Sequence, residues 1–111
     1  MGGQPDVCEI AITAPSVQWM DDFVRELIAE KLVAAVHLFE PVRSIYRWNG
    51  VVREEVEIRA AFHTRASLAP HVLERLHATH PFQVPGMVVL PIEGGNPDYL
   101  AWIYSETQGS D

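Results

Sequence analysis

Cysteine is almost missing from this chain: Cys8 is the only one. A lone thiol excludes an intrachain disulfide framework and fits a reducing compartment. Lysine is equally scarce, with Lys31 alone, and the seven arginines are scattered. Phosphate backbones demand a clustered basic surface, so nucleic acid is disfavoured as a partner. No apolar run approaches the ~20 residues that span a bilayer. The stretch Met1-Gly2-Gly3-Gln4-Pro5-Asp6 lacks the basic and apolar regions of a secretory leader. The expectation is a cytoplasmic protein with no membrane partner. Catalytic signatures are missing too: there is no GxSxG elbow, Walker loop, dinucleotide fingerprint or HExxH. Asp21 and Asp22 are adjacent and point to different parts of a helix surface, so they make no acid/base pair. No enzyme is expected.

What remains is an ordinary globular composition. The 111 residues are 48% hydrophobic and carry a formal charge of −7. They predict a single domain over 1–111, with a core from about 6 to 104 and a loose polar tail from Ser105 to Asp111. The acidity keeps the chain soluble and is compatible with cation binding.

Val7 to Thr13 is mostly apolar and rich in β-branched residues, which predicts a buried strand. Ser16 reads as a helix N-cap. Trp19, Met20, Phe23, Val24, Leu27, Ile28 and Leu32 then recur at spacings of three and four, predicting an amphipathic helix over 16–31. A run from Val33 to Phe39 and a second from Arg43 to Trp48 lead into Asn49-Gly50, a strong hairpin signal because both residues tolerate positive φ. From 51 to 64, Val52, Glu54, Val56, Ile58, Ala60 and Phe62 share one face of a strand, with Arg53, Glu55, Glu57 and Arg59 on the other. Such a strand is about twice the usual length, more than one small domain covers. A second helix is predicted over 66–78, ended by His80-Pro81. Met87 to Ile92 reads as a last core strand, and Asn96-Pro97 starts a short terminal helix.

The order β-α-β-β-α-β plus a terminal helix is the split-βαβ, ferredoxin-like pattern of the α+β class, an antiparallel sheet with two helices on one face. The uncovered face and the long hairpin predict oligomerisation.

Four segments resemble the CutA family: Glu30-Lys31-Leu32-Val33-Ala34-Ala35, Ser44-Ile45-Tyr46-Arg47-Trp48-Asn49-Gly50, His80-Pro81-Phe82-Gln83-Val84-Pro85, and the run from Leu90 to Trp102. The resemblance implies a PII-like homotrimer that exchanges long hairpins, has no required cofactor, and is linked to tolerance of copper and other divalent cations. It places Tyr46, Arg47, Trp48 and Trp102 at the trimer interface. It also allows a PII-like module that holds a small anionic metabolite in a cleft between subunits, near Lys31, Tyr46, Glu57 and His63. Ile12 and Ala35 stand where family members place cysteines, Gly86 where many place glutamate, Phe82 for a tyrosine and His63 for a lysine.

With the thiolates that copper(I) favours absent, His80 is the remaining ligand candidate, with His77 three residues earlier. Imidazole suits Cu2+ and other divalent ions, although two histidines leave a tetrahedral site incomplete. Both histidines also suit the end of a helix, where positive charge is favourable. His37, His63 and His71 show no spacing that suggests a cluster. Glu54, Glu55 and Glu57 follow the turn; they could line a cation-attracting channel in a trimer, but the simpler reading is a solvated strand face.

Overall fold

The computed structural model describes residues 6–108. The start of the chain, read as leaderless over 1–5, and tail residues 109–111 lie outside the described residues. The elements are β1 (Val7–Ala14), α1 (Val17–Ala29), β2 (Ala35–Leu38), β3 (Val42–Trp48), β4 (Val51–Arg65), α2 (Ala69–Thr79), β5 (Met87–Ile92) and α3 (Pro97–Ser105), with a 3-10 turn at Ala66–Leu68 leading into α2. The sheet is antiparallel in the order β2-β4-β1-β5, and β3 pairs with the outer part of β4. This is the expected α+β, ferredoxin-like sandwich. The second strand is broken in two between Leu38 and Val42, around Pro41, a residue that cannot donate to a ladder.

Local chemistry fixes the ends of the elements. The Ser16 hydroxyl caps α1 by accepting from the Trp19 amide at 3.1 Å. Lys31 closes the same helix in a left-handed conformation, φ +61°. Its amide donates to the Ile28 carbonyl and the Leu32 amide to the Leu27 carbonyl, both at 3.0 Å, which is the Schellman pattern. Asn49 and Gly50 take φ of +50° and +78° at the hairpin tip, as a type I′ turn requires. Asn96 caps α3 through the Asp98 amide.

The main core lies between one sheet face and helices α1 and α2. Ile10, Ile12, Ile58, Ala60 and Phe62 of the sheet meet Met20, Phe23, Leu27, Val72 and Leu76 of the helices. Ile28, placed on the apolar stripe by its spacing, is exposed. A second small cluster sits on the opposite face, where Leu100 and Ile103 of α3 cover Val7.

Two expectations are corrected. Strand β5 is an edge strand, with Val88, Val89 and Leu90 exposed, because it pairs only with β1 among the described strands. The start of the polar tail is docked rather than loose. Thr107 is buried, its hydroxyl accepts from Arg65 Nε at 2.9 Å, and the Gln108 amide donates to the Lys31 carbonyl at 2.9 Å.

Candidate functional site: a cavity beneath the hairpin

In an antiparallel pair, directly opposed residues share a face. The register Val42↔Glu57, Ser44↔Glu55, Tyr46↔Arg53 and Trp48↔Val51 therefore puts Ser44, Tyr46, Trp48, Arg53, Glu55 and Glu57 on one side of the hairpin. The loop after α2 meets this side. Phe82, Gln83, Val84 and Gly86 close a cavity of about 520 Å³ together with Thr13 and the hairpin residues. That volume falls within the usual small-ligand range of roughly 300–1,000 Å³. A side chain at Gly86 would meet the Thr13 hydroxyl oxygen at 3.6 Å.

Two carboxylates face the cavity in different states. Glu55 accepts from the Tyr46 hydroxyl at 2.8 Å, and this bond raises the Tyr46 phenol above its ordinary value. Glu57 is only 6% exposed, and among the described residues its carboxylate has neither a hydrogen bond nor an ion pair. The solvated strand face expected for Glu57 is thus corrected: Glu57 is buried and shares the cavity with the loop before β5. At the tip, Arg47 donates to the Gly50 carbonyl at 3.3 Å and holds the turn.

His80 positions that loop. Its Nε2–H donates to the Thr13 carbonyl at 2.8 Å, and its Nδ1 accepts from the Phe82 amide at 3.0 Å. The ring packs against Trp19 at 5.0 Å and Phe82 at 5.1 Å. His80 is 8% exposed, whereas His77 is exposed on α2. The expected pairing of the two as metal ligands is therefore not formed: both ring nitrogens of His80 already have partners.

His63 lies elsewhere. It is six residues beyond Glu57 along β4, about 20 Å at the rise of a strand. Its Nε2 donates to Glu9 at 2.8 Å, its Nδ1 meets the Tyr99 hydroxyl at 2.6 Å, and His37 packs edge-on at 5.2 Å. Burial raises the Tyr99 phenol, with Glu9 adding to the effect. Within one chain, the residues expected to form a cleft thus divide. Tyr46 and Glu57 share the cavity, His63 belongs to a separate network, and Lys31 sits in the turn after α1. Spacing along the sequence gave no signal for Glu9, His37 and Tyr99; only the register Glu9↔His63 and Ala35↔His63, with α3 laid across, brings them together. Trp102 is 41% exposed and stacks on Tyr99 at 5.8 Å.

Comparison with known proteins agrees with the fold. Residues 8–106 match the family model described as CutA1 divalent ion tolerance protein. The chain belongs to the CutA1 family. The divalent-cation tolerance protein CutA of Thermus thermophilus is 38% identical over 98 residues, covering 88% of this chain and 95% of that protein. Protein CutA of Mus musculus is 33% identical over 97 residues, covering 87% of this chain but only 55% of the mouse protein, so this chain spans about half the mouse protein's length. Among solved structures, CutA1 from Oryza sativa aligns with a TM-score of 0.91 at 32% identity, covering 96% of this chain and 98% of that one. A CutA from Archaeoglobus fulgidus, 29% identical over 92% of this chain and 99% of its own, with a TM-score of 0.88, is described as periplasmic.

The CutA1 name raises the question of a divalent metal centre. Among the described residues, no three His, Cys, Asp or Glu side chains come together as a metal would require. Cys8 is buried, and burial with the Asp6 charge pushes its thiol up to about 11, away from the thiolate that binds metal. The donor set of one chain does not fit a closed metal site. No described helix is long and apolar enough to cross a membrane.

Proposed function

We propose that this CutA1-family protein acts in tolerance of divalent cations, copper(II) among them, as a cytoplasmic homotrimer that catalyses no reaction. The observation that carries the assembly is the apolar surface on the outer hairpin. Ile45, Val52 and Val56 lie on the face opposite the cavity and are exposed, Val52 at 63% and Val56 at 66%. Apolar surface of this kind on a small monomer marks an association site. The edge strand β5 adds Val88 and Leu90 on the other sheet face. Tyr46, Arg47 and Trp48 at the tip and Trp102 on α3 are the anchors of the interface, since aromatic and arginine side chains dominate such contacts.

Metal contact on this reading is weak. It passes through His77, whose imidazole is exposed, rather than through His80, whose nitrogens hold the loop. A single buried thiol supports the reducing compartment. Light scattering gives the mass in solution, and calorimetry with copper(II) gives the affinity. A trimer whose weak copper binding disappears in His77→Ala but persists in His80→Ala is the expected result. A monomer, or tight copper binding lost only in His80→Ala, overturns the reading.

A further inference from the structure

We infer that the cavity beneath the hairpin is a site for a small organic cation, an alkylammonium or guanidinium group. The proposal stands apart from the tolerance reading and rests on the state of Glu57. An ionised carboxylate withdrawn from water is costly unless it is paired. Glu57 is 94% buried, from its 6% exposure, yet among the described residues it has no hydrogen-bond or ion-pair partner. Its oxygens still reach the cavity, because no side-chain oxygen among the described residues is both fully buried and unsatisfied. The site therefore presents an acceptor that lacks a donor.

The walls name the class of donor. Tyr46, Trp48 and Phe82 line the same space, and aromatic faces attract cations by their quadrupole. The Tyr46–Glu55 hydrogen bond orients one of these rings and leaves Glu55 as a second acceptor. Arg53 is the one cation on the wall, so Glu55, Glu57 and Arg53 together leave one negative charge. Arg53 is four residues from Glu57 on β4, about 13 Å along the strand, and forms no ion pair with it. A small anion would meet uncompensated carboxylate, which disfavours the anionic metabolite that the PII-like resemblance allows. A divalent ion would find only two carboxylates here, with no third His, Cys, Asp or Glu donor grouped with them among the described residues. An organic cation uses both the rings and the acid.

Calorimetry with tetramethylammonium and with methylguanidinium, and with phosphate as the anion control, tests the site. One cation per chain is expected, with no phosphate binding. Glu57→Gln, nearly isosteric, should weaken binding tenfold or more without lowering the melting temperature, because among the described residues the carboxylate has no protein partner to lose. Phe82→Leu should weaken tetramethylammonium binding similarly and serves as the readout if Glu57→Gln fails to fold. Failure of both cations to bind at millimolar concentration, or equal affinity in Glu57→Gln, overturns the proposal. So does dissociation of the assembly by Glu57→Gln, which would show that a basic side chain of a second copy fills the site.

Discussion

From Ile58 to Arg65, β4 lies between β1 and β2, and one of its faces lies under α1 and α2; from Val51 to Glu57 the same strand runs past the helices with β3 as its only described neighbour. Both halves alternate apolar and polar residues. In the inner half the apolar side is core: Ile58, Ala60 and Phe62 are buried. In the outer half the same side, Val52 and Val56, is exposed, and Glu57 of the polar side is the buried residue. Alternation assigns faces to a strand. Which face is covered depends on what packs there, and in the outer half this chain supplies cover only over Glu57. The same sequence rule thus yields a fold determinant in one half and an association surface in the other.

Truncation in each half separates the two roles most sharply. Phe62→Ala should cost ~3–5 kcal/mol, since it empties a fully buried aromatic position that packs against Phe23. Val56→Ala on a dissociated chain should change stability by less than ~0.5 kcal/mol, as exposed substitutions do. Urea unfolding at several protein concentrations measures both. A Val56→Ala cost that grows with concentration places that face in an interface, whereas a large cost independent of concentration abolishes the distinction between the halves.

Much of this was legible in the sequence for physical reasons. The Ser16 cap, the stripe along α1 and the Asn49-Gly50 turn are local signals, and each element formed where its signal lay. The break between β2 and β3 was legible as two separate runs, Val33 to Phe39 and Arg43 to Trp48, whereas the exposure of β5 was less legible, because it depends on which strands become neighbours. The polar site was the least legible. His80 looked like a ligand because the cysteines and glutamate of the family pattern are replaced here and imidazole suits divalent ions, but the fold supplies the Thr13 carbonyl from 67 residues away. Glu57 looked solvated because it falls on the polar face of β4, but it is buried and shares a cavity with a loop more than 20 residues further on.

Thiol reactivity sharpens the contrast without altering the fold. Cys8 opposes Thr64 in the buried half, and burial raises its thiol from 9.0 to about 11. A thiol reagent at pH 8 should leave Cys8 unmodified in the native protein and react fully in denaturant. On a dissociated chain, Val52→Cys should add one rapidly labelled thiol, since Val52 is 63% exposed there. The sign of the linked stability follows from the same shift. Above about pH 9 the unfolded thiol loses its proton while the folded one keeps it, so the native state binds more protons and stability falls as pH rises toward 11. Equal labelling rates at the two positions, or a flat stability profile between pH 9 and 11 relative to Cys8→Ala, would remove the distinction.

The smallest effect is expected on the helices, outside β4 altogether. Arg75 of α2 donates to both Glu26 and Glu30 at the end of α1, and its hydrogen bonds hold the exposed Glu30 carboxyl below the usual carboxylate range. Solvent screens such pairs, so Arg75→Ala should lower the melting temperature far less than Phe62→Ala. The contribution is present above the ordinary glutamate value of 4.5 and is lost as pH falls through the depressed folded value. Melting curves of native and Arg75→Ala protein should therefore lie slightly apart at pH 7 and converge in acid and at high salt. A gap that persists in acid would mean that Arg75 acts through its packed methylene stem rather than its charge.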